Sequence, residues 1–368
     1  TMTCDRWQKM NTPLLAMAAL VAVLVIGCST NRTAPRDATA SVELERIRLP
    51  MGFIPNVQFA PFYVAVDRGY FADEGIEIEF DYSFETQGVQ LVAAGELPFA
   101  VASGDQVILA RAQGLPVVYI TEWWQRFPVA IASLAETGIN SPADLAGRAV
   151  GVPELFGASY IGWQALLSTT GLDPSAVKLE TIGYSQVPSL NEGRVDAAVV
   201  YANNEPVLLA HEDVATNVIA VADYVDIVSN GLVTSETVIE ERPEFARGFV
   251  RAFLRGLSDT LADPATAFEI STRHVEGLAE NAGFGTAVLN ASLPYWESEQ
   301  LGLSDSVTWE QSQQVMRDAG LLEDILPVDT LFTNEFLTQP KAPRTNIDPT
   351  GTKLLDLRCT SKVCASAT

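Results

Sequence analysis

Cysteine and histidine are nearly missing from this chain. The four cysteines stand at positions 4, 28, 359 and 364 of 368 residues, and the two histidines are His211 and His274. The long middle therefore lacks the material for Cys/His zinc sites and for nucleophiles that need a histidine base. Basic charge is scarce too: 23 Lys and Arg face 46 Asp and Glu, a net charge of −23. That balance supplies no face for nucleic-acid phosphates and disfavours broad docking on anionic lipid. Apolar residues, by contrast, make up 48% and charged residues 19%. This composition supports a buried core and argues against wholesale disorder. A chain of this length is expected to divide into two lobes or domains.

Arg6 and Lys9 precede an apolar run from Leu14 to Ile26, thirteen residues. A spanning helix needs about 20, so the run fits the apolar region of a secretory signal. It ends in Val25-Ile26-Gly27-Cys28, which resembles the lipobox of bacterial lipoproteins. The resemblance implies cleavage before Cys28, acylation of its thiol, and a place outside the cytoplasmic membrane. An uncleaved anchor and an ordinary signal are the plainer alternatives. Residues 1–27 are thus the expected signal peptide, and the polar stretch of 28–42 a flexible tether.

Beyond it, strands alternate with short helices. Strands are expected at Glu43–Phe53, Ile76–Tyr82, Phe99–Ser103 and Val117–Thr121, with helices at Pro61–Phe71, Gln87–Ala94 and Asp105–Gln113 between them. A second series runs from Pro128 to Thr234. In it Ser141-Pro142-Ala143-Asp144 has serine as N-cap and proline at the first helical position. Such alternation argues for mostly parallel sheets flanked by helices. From Arg242 the pattern turns helical, and Pro340, Pro343 and Pro349 mark 339–368 as a mostly disordered tail. Cys359 and Cys364 read as a local disulfide rather than a metal site, with an artefact of the sequence as the equal alternative.

Five segments in register resemble solute-binding proteins of ABC importers, in the subgroup that binds thiamine-pyrimidine precursors, near the sulfonate and nitrate binders. They are PNVQFAPFYVAVDRGYFADEGIEIEF, LVAAGELPFAVASGDQVILARAQGLPVV, INSPADLAGRAVGVPELFG, NEGRVDAAVVY and LFTNEFL. The resemblance implies an α/β fold, a two-lobe periplasmic-binding-protein clamshell of type II. Lobe one would be 43–128 plus 234–338 and lobe two 129–233. Partners implied are a small solute, an ABC permease and its ATPase, with the membrane reached through the lipid anchor and the protein a monomer. A thiamine-pyrimidine synthase in yeast is similar in the same segments. Its cofactor-holding lysine falls on Ala102, its reactant histidine on Gln106, and its cysteine-rich motif has no counterpart here. No enzyme activity, cofactor or metal is therefore expected. A surface adhesin or sensor domain is the third class.

Ligands of such sheets lie outside the carboxyl ends of the strands. The loops placed there offer Phe53, Asn56, Gln58 and Phe59; Ser103, Asp105 and Gln106; Trp123 and Trp124; Phe156 and Tyr160; and Tyr184, Tyr201 and Asn203. Aromatic faces with carboxamide donors and acceptors suit a flat heteroaromatic ring, such as riboflavin or a thiamine-type aminopyrimidine. The number of large aromatics favours the larger ring. A sulfonate or nitrate would prefer arginine or clustered backbone N–H groups, and Arg126 is the one basic residue in these loops. Each aromatic has a plainer reading as core, Asp105 and Asn203 as helix caps. Two adjacent tryptophans are expected to face different ways, one toward the cleft or the surface. His211 and His274 are assigned no chemistry.

Overall fold

The computed structural model describes residues 44–337. The expected signal peptide, Cys28, the tether and the 339–368 tail with Cys359 and Cys364 lie outside the described residues.

Among the described residues there are ten strands and twelve α-helices, interspersed up to β10 and helical after it. The strands are β1 Glu45–Gly52, β2 Ile76–Phe84, β3 Phe99–Ser103, β4 Val117–Glu122, β5 Val129–Leu134, β6 Ala149–Val152, β7 Lys178–Thr181, β8 Ala197–Tyr201, β9 Thr216–Ala220 and β10 Asn230–Ser235. The helices are α1 Ala60–Asp67, α2 Tyr70–Asp73, α3 Glu85–Ala93, α4 Gly104–Ala112, α5 Gly157–Thr170 and α6 Gln186–Asn191, then α7 Glu205–His211, α8 Glu236–Glu241, α9 Pro243–Ala262, α10 Pro264–Ser271, α11 Ala282–Trp296 and α12 Ser306–Asp318.

The strands form two bodies. On one side β1 pairs in parallel with β2, β1 lies beside β3, and β3, β10 and β4 form a three-stranded sheet in that order. On the other side five strands run in the order β7-β6-β8-β5-β9. Parallel strands predominate in direction, but each body carries one reversed strand: β10 is antiparallel to β3 and β4, and β5 to β8 and β9. The two reversed strands follow the crossings between bodies. Strand β4 feeds β5 through Trp123–Pro128, and the chain returns at β10, so Asn230 is already in the first sheet.

Helix α9 shows how sequence builds the first lobe. Pro243 takes its first position, where the missing N–H costs nothing. Ala246, Phe249, Val250, Phe253, Gly256 and Leu257 then recur on one buried face, the three-to-four spacing of a core-facing helix. That face lies on α1 so closely that a Cβ on Gly256 would sit 2.1 Å from the Pro61 carbonyl oxygen. The aromatics beneath form one cluster: Trp123 stands 5.3 Å from Phe62, 5.8 Å from Phe59 and 5.6 Å from Trp296, centroid to centroid.

Candidate functional site

The carboxyl ends of the parallel strands on the two bodies face one cleft. Met51, Gly52 and Phe53 close β1; Phe84, Glu85 and Thr86 join β2 to α3; Val101 and Gln106 flank the β3–α4 junction; Trp123 and Trp124 follow β4. Gln58, Phe59 and Asn230 complete this wall. The opposite wall comes from Pro153, Glu154 and Phe156–Ser159 after β6, Tyr184 and Gln186 after β7, and Tyr201, Asn204 and Glu205 after β8. The space open to the centres of water molecules is about 140 Å³. Eight aromatic rings line it, with five carboxamides and three carboxylates, and no lysine, arginine or histidine.

Nine of the sequence-derived candidates meet here: Phe53, Gln58, Phe59, Gln106, Trp123, Trp124, Phe156, Tyr184 and Tyr201. Five do not reach the lining. Asn56 turns back to accept from the Gln58 amide at 2.9 Å. Ser103 is fully buried and donates to Glu85, and buried Asp105 accepts from Gln106 Nε2 at 2.8 Å. Tyr160 sits against the core cluster under α5, and buried Asn203 donates to Ser292 Oγ at 2.9 Å. Arg126 is bound to Asp223 at 2.5 Å, outside the lining.

Trp123 and Trp124 both border the cleft, where at least one is expected, but they do not split between core and cleft. Trp123 and Trp124 are 1% and 2% exposed and share one aromatic cluster. Both backbone amides donate to the Asn230 carbonyl, at 3.1 and 3.0 Å. Two successive donors to one acceptor interrupt the strand alternation as a bulge does, so both side chains fall on the cluster side. Trp123 Nε1 is buried and has no hydrogen-bond partner among the described residues.

Glu85 and Asn230 were not legible as site residues. Glu85 opens α3, where an acid is an ordinary partner for the helix dipole. Asn230 opens the reversed strand β10, so its amino end lies among the carboxyl ends of the others. The Glu85 side chain passes over Gly52, where a Cβ would come within 2.6 Å of its Cγ and φ is +79°. Its Oε2 accepts from the Ser103 amide at 3.2 Å and from Ser103 Oγ at 2.7 Å. Its Oε1 accepts from Asn230 Nδ2 at 2.7 Å, and Tyr201 of the opposite wall donates to Asn230 Oδ1 at 3.2 Å. Burial, and next the neighbouring Asp105 charge, push the Glu85 carboxyl up to about 7. Glu205, which accepts from the Tyr201 amide, is also raised by burial.

The rim is apolar. Phe84, Phe156 and Tyr184 line the cleft yet are all more than half exposed. Phe53 and Tyr184 meet edge-on across it at 5.8 Å.

Two α/β bodies joined by two crossings, with an aromatic cleft at their strand ends, define a two-lobe clamshell of the periplasmic-binding-protein fold. Solved structures of that fold superpose well. The aliphatic sulphonate binding protein SsuA from Escherichia coli covers 88% of this chain and 98% of its own, with a TM-score of 0.64 at 14% identity. The alkanesulfonate-binding protein SsuA from Xanthomonas axonopodis, bound to MOPS, gives 0.63 at 13% identity, over 79% and 99%. The chain belongs to the NMT1/THI5 like family, whose model matches residues 56–267. Among its relatives is the riboflavin-binding protein RibY of Chloroflexus aurantiacus, 39% identical over 89% of this chain and 98% of that protein. A formylaminopyrimidine-binding protein of Halalkalibacterium halodurans is 32% identical over 69% and 77%. A 4-amino-5-hydroxymethyl-2-methylpyrimidine phosphate synthase of Legionella pneumophila is 23% identical over 83% and 95%.

Proposed function

We propose that this protein captures a neutral, planar heteroaromatic solute, a flavin such as riboflavin before a single pyrimidine, and releases it unchanged to an ABC permease driven by its ATPase. The observation that carries this reading is the cleft lining: eight aromatic rings, five carboxamides and no cation. Stacked aromatic pairs contribute roughly 0.5–1.5 kcal/mol each beyond burial. Two such contacts with a few hydrogen bonds reach the micromolar to nanomolar range, about −8 to −12 kcal/mol. The three carboxylates, Glu85, Glu154 and Glu205, disfavour the sulfonate or nitrate alternative, because an anion would meet like charge with no cation to offset it. The relative named for riboflavin covers nearly its whole length, which supports the flavin over the pyrimidine.

Binding without turnover is part of the proposal. The positions matched to the lysine and histidine of the synthase hold Ala102, wholly buried on β3, and Gln106. Neither side chain can form a Schiff base. The expected lobe limits, 43–128 with 234–338 and 129–233, shift at the second crossing: lobe two is proposed to end before Asn230, because β10 pairs with β3 and β4 of the first lobe. The signal peptide, acylation at Cys28 and an anchored place outside the cytoplasmic membrane also stand as proposals.

A thermal-shift panel of riboflavin, aminopyrimidines, taurine and nitrate tests the reading. Riboflavin is expected to raise the midpoint, to quench tryptophan and flavin fluorescence on mixing, and to be recovered unaltered. Stabilisation by taurine or nitrate alone would overturn it. Stabilisation by an aminopyrimidine without riboflavin would move the ligand to the smaller ring.

A further inference from the structure

Glu85 has acceptor capacity that the protein leaves unused. A carboxylate oxygen accepts about two hydrogen bonds. Oε2 takes two from Ser103, but Oε1 takes one, from Asn230. The same side chain borders the cleft. Its position is built rather than incidental. Gly52 alone leaves room for its Cγ, Ser103 is fully buried beneath it, and Asn230 is only 8% exposed. Four element ends converge to hold it: those of β1, β3 and β10, and the start of α3.

The polar group lies inward of an apolar mouth. Phe84, Phe156 and Tyr184 at the rim are 64%, 57% and 61% exposed, whereas Trp123 and Trp124 beside the Glu85 wall are almost wholly buried. A planar ligand with one polar and one apolar edge therefore has a preferred sense of entry, polar edge first. An acceptor oxygen with an open position, and no cation near it in the cleft, is satisfied by a donor, and a bound donor favours the ionised carboxylate over the form that burial favours.

We propose that Glu85 is the specificity-determining residue of the cleft, accepting a hydrogen bond from a ring N–H on the ligand's polar edge through the open position of Oε1. This rests on the heteroaromatic reading of the site and adds the requirement that decides among such rings. The inner edge must carry an N–H, as the imide of a flavin does. A ring whose inner edge presents only acceptors, or an N-alkyl group, leaves Glu85 buried without its partner. Sites that read a donor reject analogues lacking it far more strongly than apolar pockets reject a change of size.

The test compares riboflavin with N3-methylriboflavin by fluorescence titration, on the wild-type protein and on Glu85→Gln. Wild type is expected to bind riboflavin roughly 10- to 100-fold more tightly than the methylated ring. In Glu85→Gln the two Ser103 donors hold the amide oxygen at the Oε2 position, so an NH2 donor faces the open position and the two affinities should come within about threefold, by loss of riboflavin affinity. If Glu85→Gln does not fold, Glu85→Asp keeps the charge but withdraws it by one methylene, and the same narrowing is expected. Equal binding of both rings by wild type overturns the inference and leaves the proposed function standing. So does discrimination that persists undiminished in the variant, since the methyl group is then rejected by size alone. Failure of wild type to bind riboflavin at all overturns the inference together with the flavin reading on which it rests.

Discussion

Glu122 and Glu85 illustrate how burial, more than any partner, sets the behaviour of single residues here. Glu122 ends β4, is 7% exposed, and accepts one hydrogen bond from Ser304 Oγ at 3.1 Å. Burial, with Asp226 and Asp305 nearby, pushes its carboxyl up to about 8. An acid whose folded value lies above its ordinary one holds a proton that the unfolded chain releases. The free energy of folding from this group is therefore greatest at low pH and is lost as pH rises through the folded value. The limit for one such group is about 1.4 kcal/mol per pH unit. Denaturant titrations of wild type and Glu122→Gln should thus diverge between pH 6 and pH 8, the variant gaining by about 1 kcal/mol or more. A constant difference over that window would show that Glu122 ionises freely in the folded protein. Glu85, raised to about 7, acts in the same direction, so both variants are compared with the wild type at each pH.

At the scale of elements, close approach rather than propensity governs the packing of the helical layer. Gly256 and Gly283 are both helical glycines, and helix propensity alone would have each gain from alanine by about 0.5–1 kcal/mol. Their surroundings differ. A Cβ on Gly256 meets the Pro61 carbonyl at 2.1 Å and Ala65 Cβ at 2.7 Å, while one on Gly283 meets nothing nearer than His211 Cε1 at 3.5 Å. Gly256→Ala must part α9 from α1, and overpacking of this kind typically costs about 1–3 kcal/mol. Urea unfolding is expected to show that loss for Gly256→Ala and none for Gly283→Ala. A neutral Gly256→Ala would mean that the two helices have room to separate. The same layer shows how much the sequence already revealed. Strand β3 and helix α9 follow directly from an apolar run and from a three-to-four repeat. Helix α11 runs Ala282–Trp296 with Pro294 inside it, a length that a local reading of proline as a stop would not give, and Trp296 buries its last turn.

At the scale of the molecule, contacts already join the lobes across the cleft: Tyr201 to Asn230, Asn203 to Ser292, and Phe53 against Tyr184. Of these, the Tyr201–Asn230 bond and the Phe53–Tyr184 contact border the cleft where a solute would be enclosed, in keeping with hinge closure around ligands. Acylation proposed at Cys28 would hold the molecule at the membrane beside a transporter. Labelled palmitate is expected to enter the wild-type protein in a bacterial host and to be lost in Cys28→Ala, with the melting transition unchanged. Equal labelling of the variant would refute acylation at that residue.

The fold class, the two α/β series and the helical end were legible in sequence, because periodicity and glycine or proline boundaries are local. So was most of the aromatic wall, since Phe53, Trp123, Trp124, Tyr184 and Tyr201 each follow a recognisable strand. The scarcity of histidine and the lack of mid-chain cysteine narrowed the chemistry before any fold was known. What only tertiary structure decided is the polar floor. Glu85 and Asn230 are 145 residues apart, and each looks ordinary in its own segment, one as a helix-start acid and the other as a residue before an apolar run. Reversal of β10 brings Asn230 to the carboxyl ends of its neighbours, and Gly52 admits Glu85 beside it. The aim of both tryptophans was decided in the same way, by two amides sharing the Asn230 carbonyl. Local pattern encodes which face of an element is apolar; which polar groups converge depends on strand order and direction, and those follow from packing of the whole chain.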